Sequence, residues 1–238
     1  MLSLSLFLFH VTCLQFFSAL PTMAQAEDVE PETYQIMRTI ENSLMDNDNV
    51  DLEQYLLFWE HVCKVMGSWG TVFGFVVKDV TAKIEKLAAM RVADPESYRS
   101  IQTMARKEST DGTIRNLKPN RSGTGHLMVL NRALEFVIDM LDGVFTSDDA
   151  SLKVSTPARC SYDKHLSQFH SWPIRTAVSA ALYTLPRKTE FLIRLRGSMP
   201  ESEDGQFHDV FNRDGRDIVR RVNQLVENFD LVNHNPSA

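Results

Sequence analysis

Apolar residues recur every three or four positions along almost the whole chain after residue 30, the spacing that lines one face of an α-helix. Tyr34 to Leu44 makes a first short amphipathic helix, ending in the polar stretch Asp46 to Asn49. Leu52 to Met66 places Leu52, Leu56, Trp59, Val62, Cys63 and Met66 on one stripe. After breaks at Gly67-Ser68 and Gly70, Thr71 to Met90 is the longest predicted helix of this half. Pro95 suits a first helical turn and predicts a helix to about Lys107. Residues 109–125, STDGTIRNLKPNRSGTG, read as a loop, and His126 to Val144 resumes a strongly apolar helix. A polar break at Ser147 to Ser151 and Pro157 precedes a helix over Ser161 to Phe169. Another runs from Pro173 to Tyr183 and is stopped by Pro186. Lys188 to Leu195 is short, and after the loop Gly197 to Gly205 a last helix covers Val210 to Phe229. No segment has the alternation of a strand, and no repeat or long linker divides the pattern. The expectation is one all-α domain of packed helical layers.

The chain has 238 residues, 43 % of them hydrophobic and 24 % charged, enough for a sizeable core. A net charge of −6 gives no overall attraction to nucleic acid, so no nucleic-acid partner is expected. Residues 1–26 carry no Asp, Glu, Lys or Arg and end in Ala24-Gln25-Ala26, which reads as a signal peptide or apolar leader ahead of a domain spanning residues 27–238. Cys13 lies in that leader, so Cys63 and Cys160 allow one disulfide at most. With no CxxC motif, no metal site is expected. Asn120-Arg121-Ser122 is a glycosylation sequon, consistent with a secretory route.

A few polar residues interrupt the apolar stripes. Asp79 and Lys83, four residues apart, share a helix face with Val76 before them and Leu87 after. They fit a surface ion pair, or a carboxylate and an ammonium facing a ligand. Arg132 sits between Leu130 and Leu134, where it can tie two helices together or reach a ligand. His170 lies between Phe169 and Trp172, and fits either a satisfied core histidine or a donor to a guest carbonyl. Trp69 and Trp172 stand at helix breaks, where a ring can wall a site or rest on a membrane surface. GxSxG, HExxH and a glycine-rich phosphate loop are all missing, so no catalytic residue, no enzyme activity and no cofactor is expected.

Five stretches together resemble the glycolipid transfer protein superfamily, and its ceramide-1-phosphate branch in particular. They are GTVFGFVVKDVTAKIEKL, ESYRSIQTM, LNRALEFVIDML, YDKHLSQFHSWPIRTAVSAALYTLP and the final amphipathic helix, spread over roughly residues 34–230. The resemblance implies an all-α, two-layer domain that encloses the chains of one sphingolipid in a hydrophobic pocket and moves it between membranes. It implies that Asp79 receives the ceramide amide N–H, that Lys83 contacts the head group and that His170 hydrogen-bonds the acyl carbonyl. Arg132 matches the arginine of the family's RAL motif. A ceramide-based sphingolipid, transient membrane-surface contact and a monomeric state follow as expected partners.

Two positions depart from the pattern. The phosphate-binding branch has arginines where this chain has Gly125 and Val129, and glycolipid binders have a tryptophan at the place of Val129. Losing two charge-assisted donors costs about 1.5–3 kcal/mol each, and His126, Arg121 and Lys118 are the nearby side chains able to compensate. The leading expectation is intermembrane transfer of ceramide 1-phosphate. A carrier of a neutral or other ceramide-based sphingolipid and a non-transferring lipid sensor or protein-interaction module are the alternatives. The leader and the sequon predict a secreted or lumenal protein, against cytosolic membrane faces as the alternative.

Overall fold

Polar side chains cap the starts of three of the helices. The computed structural model describes residues 30–70 and 73–236, so the expected leader, its Ala24-Gln25-Ala26 and Cys13 lie outside the described residues. From Pro31 onward the chain forms one compact unit. It opens with α1 (Glu32–Ser43) and α2 (Leu52–Gly67), then α3 (Gly74–Ala93), α4 (Ile101–Thr110) and α5 (Gly123–Phe145). α6 (Ser155–His165), α7 (Trp172–Tyr183), α8 (Lys188–Arg196) and α9 (Asp204–Asn228) complete it. Asp51 caps α2 by accepting from the Gln54 N–H at 2.9 Å, and Ser122 caps α5 by accepting from the Gly125 N–H at 3.0 Å.

Three expected boundaries move, each for a local reason. The helix expected from Pro95 starts instead at Ile101, because Ser100 and Thr103 close a reciprocal capping box there. Residues 95–98 form turns ahead of it, and the Ile101 N–H donates to the Val50 carbonyl at 2.9 Å, tying this start to the start of α2. α6 begins at Ser155 rather than Ser161: Pro157 falls in its first turn, where a missing N–H costs nothing. The segment then breaks into a 3₁₀ turn over Ser167–Phe169. α9 begins at Asp204, ahead of the expected Val210, with buried Phe207 as its first apolar anchor.

The helices form two layers in an all-α arrangement. α1 packs on α2 and α9, α2 on α3, and α5 on α6, α9, α3 and α4. The core is continuous, with Trp59, Tyr55, Phe58, Phe191 and Phe207 fully buried in it. On one flank, Asp139 of α5 accepts from Lys164 at 2.7 Å, from His165 at 2.7 Å and from Arg216 of α9 at 3.2 Å. Burial pushes its carboxyl up, but the hydrogen bonds from Lys164 and His165 prevail and hold it at about 2. Cys63 is a buried free thiol and Cys160 an exposed one, so they form no disulfide. Among the described residues no helix is long and apolar enough to cross a membrane.

Glu108 is the buried charge that the sequence pattern did not single out. Only 3 % exposed on α4, its carboxylate accepts from the Gly123 N–H at 2.6 Å, the Thr124 N–H at 2.9 Å and the Thr124 hydroxyl at 2.6 Å. These backbone donors at the start of α5 have no partner within the helix, and the helix dipole favours an anion there. A side chain at Gly123 would place its Cβ 2.9 Å from the Glu108 carboxylate and 2.7 Å from Met104 Sδ, so glycine is what lets the cap approach. Glu108→Gln turns an amide N–H₂ toward those donors, and is expected to cost about 3 kcal/mol, read as a fall of roughly 6–12 °C in Tm.

Candidate functional site

A cavity of about 570 Å³ opens between the layers, lined by residues from seven or more of the helices, among them Trp59, Val62, Val80, Val137, Val178 and Phe211. Its walls are mostly apolar and its polar groups gather at one place. The charged residues that line it are Asp79, Lys83, Lys86, Lys118 and Arg121, four cations against one carboxylate.

Asp79 and Lys83 are both an ion pair and part of the lining. Lys83 Nζ donates to Asp79 Oδ2 at 2.6 Å and to the Asp79 backbone carbonyl at 3.1 Å. The pair is lopsided: the lysine side chain is 8 % exposed and the aspartate 68 %. The ammonium is therefore drawn under the helix surface, where burial pushes its pKa down despite the carboxylate beside it. Asp79 is the exposed partner and lines the cavity.

His170 follows the 3₁₀ turn that ends at Phe169 and precedes α7, with Tyr162 of α6 beneath it. The Tyr162 hydroxyl and His170 Nδ1 are hydrogen-bonded at 2.9 Å; with the hydroxyl as donor, the ring carries its proton on Nε2. Burial lowers the pKa of the ring, so it is neutral at pH 7. Nε2–H has no protein acceptor among the described residues, and His170 lines the cavity.

Arg132 is an expected site residue that lies outside the lining. It does not line the cavity; its guanidinium lies 3.6 Å from the centroid of the Phe169 ring, and Phe169 does line it. The cation–π contact holds that wall from behind. Arg132 thus lies against Phe169 rather than in the lining itself, while the next residue, Ala133, does line the cavity. Trp69 is half-buried in the wall, with ring centroids 5.8 Å from Phe73 and 5.0 Å from Phe191. Trp172, at the start of α7, is 71 % exposed and outside the lining.

Sequence reasoning named Arg121 and His126, along with Lys118, as side chains able to compensate for the two absent arginines. Both line the cavity, with Val129 beside them on α5. Arg121 is buried, and its Nε has no partner. Burial first, then the positive charges of Arg121, Lys83 and Lys86, push His126 down to about 4, so it is a neutral ring within a cationic group. The signal for Arg121 in the chain was a basic residue just ahead of a helix start, close to the positions where the two arginines are absent.

An apolar cavity with a small polar mouth suits an amphipathic lipid guest. Residues 50–197 match the glycolipid transfer protein (GLTP) family, and the chain belongs to that family. Its members are non-catalytic lipid-transfer proteins, and lipid binding and transfer is the function of this chain. The human ceramide-1-phosphate transfer protein is 30 % identical over 172 residues, 70 % of this chain and 79 % of that one. The zebrafish (Danio rerio) protein of the same name is 34 % identical over 161 residues, 66 % of this chain and 75 % of that one. The crystal structure of the human protein in complex with 12:0 ceramide 1-phosphate aligns with a TM-score of 0.75 at 26 % identity, covering 83 % of this chain and 96 % of that one. The secretory location expected from the leader and the Asn120 sequon is corrected by these relatives: the homologous transfer proteins are cytosolic and peripheral to membranes.

Proposed function

We propose that residues 27–238 form a monomeric carrier that takes a ceramide bearing a phosphate head group out of one membrane and releases it into another. The observation that carries this reading is the mouth of the cavity, where Lys83, Lys86, Lys118 and Arg121 face a single carboxylate, Asp79. Four cations around one acid favour a dianionic head group over a sugar or a hydroxyl. The relatives at 30 % identity or more, named for ceramide 1-phosphate, support the same choice.

The roles are those the family resemblance implies, and the cavity lining accommodates them. The exposed edge of Asp79 accepts the ceramide amide N–H, and His170 Nε2–H donates to the acyl carbonyl. Lys83, held by Asp79, presents its remaining N–H to the head group. Trp69 walls the chains, and Arg132 backs Phe169. Trp172, with Ile174 and Phe75 at 46 % and 42 % exposure, forms the apolar surface that touches the membrane. Enclosing two chains gains about 0.8 kcal/mol per CH₂ against water, but the bilayer offers the same shelter, so the polar contacts decide which lipid leaves it.

Vesicle-to-vesicle transfer of ceramide 1-phosphate, ceramide and glucosylceramide at equal mole fraction tests the reading. Ceramide 1-phosphate is expected to move at least about tenfold faster than either, the worth of one charge-assisted contact. Equal or faster transfer of a neutral lipid overturns it.

A further inference from the structure

Arg121 is 7 % exposed, and among the described residues no hydrogen bond or ion pair reaches its guanidinium, whose Nε is fully enclosed. A buried, unpaired cation is costly, and such a group persists where a ligand completes it. The backbone around it is fixed from both sides. Ser122 N–H donates to the Asn116 carbonyl at 3.2 Å and the Ser122 hydroxyl to the Ile114 carbonyl at 2.8 Å, while Glu108 clamps Gly123 and Thr124.

Gly125 explains how the side chain reaches the cavity. A Cβ built on Gly125 would lie 2.9 Å from Arg121 Cγ, 3.4 Å from its Cδ and 3.1 Å from Ser122 Oγ. The stem of Arg121 therefore crosses the space in which a side chain at position 125 would start. The two cannot both be filled. Gly125 is a notch for Arg121.

We infer that Arg121, carried across the Gly125 notch, is the residue that binds the phosphate of the cargo lipid, with Lys118 and Lys86 completing the charge at the rim. The inference rests on the proposed phosphate head group and adds the residue that selects it. Bilayer phosphates are the other source of the same chemistry, but the burial of Arg121 keeps it from a membrane surface, whereas Lys86 and Lys118 are exposed and able to meet one.

The ratio of ceramide 1-phosphate to ceramide transfer, measured with the full chain between the same vesicles, reads the cargo contact with membrane attraction cancelled. Arg121→Met keeps the stem and removes the charge; it is expected to lower the ratio about 10- to 100-fold. Gly125→Leu, which leaves Arg121 in the chain but fills its path, is expected to lower the ratio alone, and to add nothing in the Arg121→Met background. Arg121→Ala/Gly125→Arg, which starts an arginine from the same space, is expected to recover much of the ratio. An unchanged ratio in folded Arg121→Met overturns the inference while a wild-type preference for the phosphorylated lipid leaves the proposed function standing. If Arg121→Met does not fold, an unchanged ratio in Gly125→Leu overturns it instead. A wild type without that preference brings down both.

Discussion

Asp79→Val is expected to abolish lipid transfer, by about 100-fold or more, while the helical fold survives. The substitution removes the one carboxylate at the cavity mouth and with it the acceptor for the ceramide amide N–H, a charge-assisted bond worth about 1.5–3 kcal/mol. It also releases Lys83, which Asp79 holds at 2.6 Å. Freed of that partner, an ammonium with 8 % side-chain exposure must swing out to water, and the head group loses a second contact. Asp79 itself is well solvated, so the stability cost of breaking the pair is only about 1 kcal/mol. Transfer between vesicles, with circular dichroism and a thermal melt on the same sample, separates the two effects. A folded Asp79→Val protein with ordinary transfer rates removes Asp79 from the site.

Val137→Trp is expected to lose transfer in the opposite thermodynamic setting, with Tm unchanged or raised. Val137 is half-buried on α5 and lines the cavity two turns beyond Val129, where the chains of the lipid must pass. An indole there occupies space that is otherwise vacant without cargo, so it gains contacts rather than straining a filled core. Two chains then compete with a covalently attached one, and transfer falls at least about tenfold, the worth of one to two buried methylenes per factor. Retained transfer with a raised Tm places the chains elsewhere in the molecule.

The fold was legible because the apolar period of the helices is long and strong, as in α2 and α5, where the buried faces are the predicted stripes. Boundaries failed where a cap rather than a period decides them: nothing apolar marks Ser100 as the start of α4, and a capping box does. The candidate site was legible in part. Asp79, Lys83 and His170 interrupt apolar stripes and do meet at one cavity. Arg132 interrupts a stripe just as clearly, but its face is settled by the Phe169 ring it stacks on, a contact between segments far apart in the chain. Arg121 and Glu108 lie in polar stretches where charge is ordinary, so their burial was invisible without the packing of α4 against the start of α5. Gly125 read as a missing donor, and only the path of the Arg121 stem shows why it is empty.

Native mass spectrometry tests the central claim most directly. The protein is incubated with vesicles holding equal mole fractions of ceramide 1-phosphate, ceramide and glucosylceramide, then separated and weighed intact. The account predicts one lipid per protein chain, with the mass of ceramide 1-phosphate predominating at least about tenfold. A complex dominated by ceramide or glucosylceramide, or protein that emerges empty, contradicts it.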